Sequence, residues 1–112
     1  MFKAVFALLL FASVAAMAKD PAVHQYVIER DIPGASEMTA DELKAISRKS
    51  RDVLETLGPD IKWQHSYVAE DKFYCVYTAP SADLIRKHAE LGGFPADRIS
   101  RVSSVIDPST AD

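Results

Sequence analysis

Ile61-Lys62-Trp63-Gln64-His65-Ser66-Tyr67-Val68-Ala69-Glu70-Asp71-Lys72-Phe73-Tyr74-Cys75-Val76-Tyr77-Thr78-Ala79-Pro80 is the stretch that decides the fold. Aromatic and β-branched residues fill both halves, and neither proline nor glycine interrupts them before Pro80. Such composition favours strands, here over 61–69 and 72–79. The short polar pair Glu70-Asp71 between them predicts a tight hairpin. Two registers are open. A two-residue turn pairs Tyr67 with Tyr74 and His65 with Val76, placing Cys75 and His65 on opposite faces, because side chains alternate along a strand. A three-residue turn moves the pairing by one and brings Cys75 to the face of His65.

Upstream, Thr39-Ala40-Asp41-Glu42 is a capping box, in which threonine and glutamate each satisfy a free amide of the first turn. Leu43, Ile46, Val53, Leu54 and Leu57 follow at helical spacing on one face, and Gly58-Pro59 stops the helix. Before it, residues 24–30 read as a strand closed by Pro33-Gly34. Downstream, Pro80-Ser81-Ala82-Asp83 opens a second helix with Ser81 or a neighbour as cap. Leu84, Ile85, His88 and Leu91 line one side of it, and Gly92-Gly93 ends it. Residues 98–106 form a fourth strand. The order β-α-β-β-α-β predicts an α+β, ferredoxin-like domain: a four-stranded antiparallel sheet with two helices on one face.

The chain has 112 residues, enough for one domain. Its start is of a different kind. Lys3 precedes the apolar run Ala4 to Ala12, and Ala16-Met17-Ala18 closes the segment with small residues. A basic start, a short apolar stretch and an A-x-A end mark residues 1–18 as a cleavable signal peptide. The run is too short for a membrane anchor, since crossing takes about 20 residues. Residues 19–23 are a lead-in, 24–108 the domain and 109–112 a frayed tail. A periplasmic or secreted location follows, with no membrane anchor after cleavage. With 13 basic against 16 acidic residues, the chain lacks the electrostatic footprint of a nucleic-acid binder. The single cysteine, Cys75, has no intramolecular disulfide partner.

Helices cover only one face of such a sheet, so the other face should alternate to polar residues. Here both sets hold apolar side chains: Tyr26 and Ile28 alternate with Val27, and Tyr74 and Val76 with Phe73, Cys75 and Tyr77. A homodimer packed through the open sheet face accounts for that pattern. Half-exposed aromatics with wet polar tips are the simpler account.

Nucleotide, hydrolase, zincin and CxxC signatures are absent. The remaining transition-metal donors are His24, His65, His88 and Cys75. His88 faces the sheet on the second helix, as a core histidine would. Cys75 suits a small buried hydrophobe as well as a ligand. A Cys75–His88 pair requires only that Cys75 face the helices, with Asp83 or Glu90 and water completing a shell.

The hairpin through Ala79-Pro80, then Ile85-Arg86-Lys87-His88-Ala89-Glu90, Gly93-Phe94-Pro95-Ala96-Asp97-Arg98-Ile99 and Val105-Ile106-Asp107-Pro108, resembles a bacterial family of small domains of unknown function with a nickel-binding or nickel-responsive branch. The resemblance covers most of residues 24–108. It implies a ferredoxin-like fold, a dimer and nickel as ligand, but no established enzyme activity. Cys75 and His88 are its best ligand candidates, and His65 is more local to this sequence. Three readings result: an exported binding protein for a divalent metal, a dimeric α+β barrel-type enzyme acting on a small aromatic or oxidised substrate with His88 as acid or base, and a structural dimer without ligand.

Overall fold

The computed structural model describes residues 22–112. The expected signal peptide, 1–18, and most of the lead-in lie outside the described residues. Strand β1 (His24–Asp31) is followed by helix α1 (Ala40–Leu57), the hairpin β2 (Lys62–Val68) and β3 (Lys72–Ala79), helix α2 (Ala82–Gly92) and strand β4 (Arg98–Arg101). The strands lie in the order β2-β3-β1-β4, and every neighbouring pair is antiparallel. The fold is the expected ferredoxin-like α+β arrangement.

Helix α1 begins as its sequence dictates. The Thr39 hydroxyl accepts from the Glu42 amide at 3.1 Å, and the Glu42 carboxylate accepts from the Thr39 amide at 2.9 Å. Its apolar stripe and Ile85 of α2 pack on the sheet face bearing Tyr26, Ile28, Phe73, Cys75, Tyr77 and Ala79. The Ser81 side chain makes no capping bond at the start of α2. Gly93 ends that helix with φ 70°, a left-handed conformation that glycine adopts without strain.

A two-residue turn closes the hairpin, with the Ala69 amide donating to the Lys72 carbonyl at 2.8 Å. Tyr67 pairs with Tyr74 and His65 with Val76, the first of the two registers. The ladder then slips at Gln64, an extra residue between the pairs Trp63–Tyr77 and His65–Val76. This bulge reverses the alternation, so Trp63 and Ser66 share the helix side although three positions apart. The Trp63 indole donates to the Ser66 hydroxyl at 2.9 Å, and its ring stacks on Tyr77 at 6.4 Å.

Strand β4 stops at Arg101 rather than Ile106. Tyr26 is opposite Arg101, so the antiparallel ladder reaches the beginning of β1 two residues later and has no partner beyond. Val105 and Ile106 are exposed. In the exposed tail expected to fray, Asp107 accepts from the Ser109 amide at 2.9 Å and begins a 3-10 turn, Pro108–Ala111. These hydrogen bonds, the Ser109 hydroxyl foremost, hold the Asp107 carboxyl below the usual carboxylate range.

The open face is not apolar throughout. Val27, Val76 and His65 form one row across the sheet, and Glu29, Tyr74 and Tyr67 the next. Around them are charges, with Lys72 bridging Glu29 at 3.1 Å and Asp31 at 3.7 Å. The apolar content expected of this face is thus concentrated in a patch with a polar surround. Deleting Gln64 should leave Trp63 opposite Tyr77 and facing the helices, because it then directly precedes the outward-facing His65. The expected result is an unshifted tryptophan emission, whereas a red shift would show that the ladder had slipped instead.

Candidate functional site

Alternation along β1 places Tyr26, Ile28 and Arg30 on the helix side. Arg30 is therefore carried inward, where only 3% of its surface stays exposed. Its Nε donates to the Cys75 sulfur at 3.4 Å and its Nη1 to the Pro95 carbonyl at 2.7 Å, while Nη2 has no partner. The guanidinium carbon is 5.3 Å from the Phe94 ring centre and 5.9 Å from that of Tyr77. Among the described residues no carboxylate pairs with it.

His88 reaches the same layer from α2 and is fully buried. Its Nε2 and the Tyr77 hydroxyl each lie 3.1 Å from the Ser50 hydroxyl of α1, and its Nδ1 has no partner. Phe94 stacks on the imidazole at 5.5 Å. That approach requires Gly92, because a Cβ there would overlap the Phe94 ring. Burial, and then the Arg30 charge, lower the His88 pKa to about 4 against a smaller opposing effect of Ser50, so the ring is neutral at pH 7. Burial also pushes the Tyr77 hydroxyl up.

Between α1 and the sheet is a cavity of about 130 Å³. Arg30 and Cys75 line it together with Trp63, Phe73, Tyr77 and Phe94. Leu43, Ile46, Ser47, Ser50 and Ser66 complete the wall, and His88 lies behind it. Neither Arg30 nor Ser50 was singled out in the sequence, for different reasons. A charged residue at a strand end ordinarily faces water. Ser50, however, interrupts the apolar series between Ile46 and Val53 at a core-facing position, and that spacing is a usable signal.

Residues 26–102 match the profile of a family described as nickel responsive protein, SCO4226-like. The chain belongs to that family. The crystal structure of SCO4226 from Streptomyces coelicolor A3(2) superposes with a TM-score of 0.62 at 20% sequence identity, covering 73% of this chain and 99% of that one. At that identity the likeness speaks for the ferredoxin-like fold. No curated protein matches this chain.

For a member of the SCO4226-like family, nickel is the first ligand to test against the donors. Cys75 and His88 share the helix side of the sheet, whereas His65 is exposed on the opposite side, so the three do not converge. Asp83 is exposed and paired with Arg86 at 2.8 Å, and Glu90 is exposed. Among the described residues no three His, Cys, Asp or Glu side chains group as a metal site. The Arg30 charge disfavours a second cation beside Cys75. The buried pair does not fit a resident nickel ion.

The depressed histidine has a thermodynamic signature. Between its ordinary pKa of 6.5 and its folded value of about 4, the unfolded chain binds a proton that the folded chain refuses. Stability should therefore be full above pH 6.5 and fall as the pH drops through that window, by up to about 3 kcal/mol. Urea unfolding at pH 7 and pH 4.5 should show this loss, and His88→Gln should remove most of it.

Proposed function

We propose that the chain is an exported, non-catalytic binding protein in a nickel response, and that it meets the ion on the open face of the sheet. The carrying observation is the contrast between two imidazoles. His65 is exposed and lies edge-to-face with the Tyr67 ring, at 5.0 Å between ring centres. His88 is sealed from solvent with one nitrogen engaged. A hydrated divalent ion reaches the first and not the second. The family supports nickel as the metal, because imidazole alone would bind copper more tightly. The basic start, apolar run and Ala16-Met17-Ala18 close support export.

One imidazole is a poor metal site, and a second copy improves it. His65 lies in the row of Val76 and Val27, beside exposed Tyr67 and Tyr74. An apolar centre within a charged rim is the anatomy of a protein interface. A homodimer formed through this face brings two His65 rings toward one seam, with water filling the remaining positions. An acid–base role for His88 has less support, since the ring is fully buried and does not line the cavity.

Nickel titration by calorimetry should show affinity weakened about tenfold or more in His65→Ala. His88→Ala should leave it unchanged. The opposite pattern, or no nickel binding by the parent protein, defeats the reading. In sedimentation the parent should run as a dimer and Tyr74→Glu as a monomer, because the new charge enters the apolar centre of the seam.

A further inference from the structure

Arg30 poses a problem that the nickel reading does not touch. Its guanidinium keeps its charge at any physiological pH. It is 3% exposed and has no carboxylate partner among the described residues. The Cys75 sulfur, the Pro95 carbonyl and two aromatic faces solvate it in part, and Nη2 is left over. Burying an ion is costly unless it is paired. The same residue lines a cavity of about 130 Å³. A water molecule there accepts a hydrogen bond from Nη2 but neutralises nothing. An anion does both.

The remaining wall selects the kind of anion. Leu43, Ile46, Trp63, Phe73 and Phe94 give it an apolar and aromatic character. A sulfate or phosphate needs many donors to replace its hydration, and this wall offers three serine hydroxyls and one unpartnered guanidinium nitrogen. Size restricts the ligand to a compact body, since this cavity of about 130 Å³ is slightly smaller than the apolar cavity of about 150 Å³ that holds benzene. We propose that the cavity beneath α1 is a binding site for a small monocarboxylate with a compact aromatic or branched apolar body, whose carboxylate pairs with Arg30. The body lies among Trp63, Phe73 and Phe94, and the Ser47 and Ser50 hydroxyls are within the same wall. No step of chemistry is attached to the site.

Benzoate serves as the probe and benzyl alcohol as its uncharged counterpart, titrated into the isotope-labelled protein and followed by amide NMR. Benzoate should move the resonances of Phe73, Cys75 and Tyr77 and bind at least about tenfold more tightly than benzyl alcohol, as expected of a charge-assisted hydrogen bond. Arg30→Met should abolish that preference. Because Arg30→Met also alters the core and risks unfolding, a second variant decides independently: Ser47→Leu, at a half-buried position of α1, should fill the cavity and abolish binding of both probes with the fold retained. Sulfate should leave the same resonances unmoved. Equal affinity for the two probes, binding that survives Ser47→Leu, or displacement of benzoate by equimolar sulfate would each overturn the proposal.

Discussion

A permanent positive charge in the core, without a counter-ion among the described residues, is the constraint around which the interior is arranged. Arg30 arrives there through the alternation of β1, and its neighbours are groups that tolerate a cation without cancelling it. The Pro95 carbonyl and the Cys75 sulfur accept its hydrogens, and the faces of Phe94 and Tyr77 offer their negative quadrupole. The charge also constrains what else resides there. His88 stays neutral beside it, and a divalent metal at Cys75 would add repulsion to burial. Two residues that read as metal ligands by type are thus occupied with holding an arginine and a serine.

Legibility followed the range of the interaction. The capping box of α1 and its stripe depend on residues three or four apart; the box stands as read, and Leu43, Ile46, Leu54 and Leu57 of the stripe pack on the core. The two-residue hairpin turn was one of two open registers, and only pairing with β3 distinguished them. The bulge at Gln64 left no local mark, because an extra residue is defined by its partner strand. The length of β4 was equally hidden: the Val102 amide still donates to the Gln25 carbonyl, but β1 begins at His24 and leaves residues 104–106 no strand to pair with. Arg30 was illegible because a charge beside Asp31 and Pro33 resembles a solvated strand end. Ser50 was legible in principle, as the one polar member of a helical apolar series.

The two faces of the sheet divide the chemistry between them. On the helix side, aromatic rings and a buried charge surround a small void, which suits a molecule that is part apolar and part anionic. On the open side, one accessible imidazole stands among tyrosines and valines within a ring of charges, which suits association and a metal ion at the surface. A single strand, β3, separates these environments: Cys75 and Tyr77 project one way, Tyr74 and Val76 the other. The mixed composition of the open face weakens any account based on hydrophobicity alone, and the row-by-row register restores a narrower one.

The bare backbone at Gly92 has a reach beyond the helix it terminates. Because no side chain occupies that position, the benzene ring two residues later folds back to stack on the imidazole and lie beside the guanidinium. The end of α2 thus bears on the interior: a side chain at this position would displace the ring from its stack on the imidazole and from the wall of the void, so both depend on a bare backbone here.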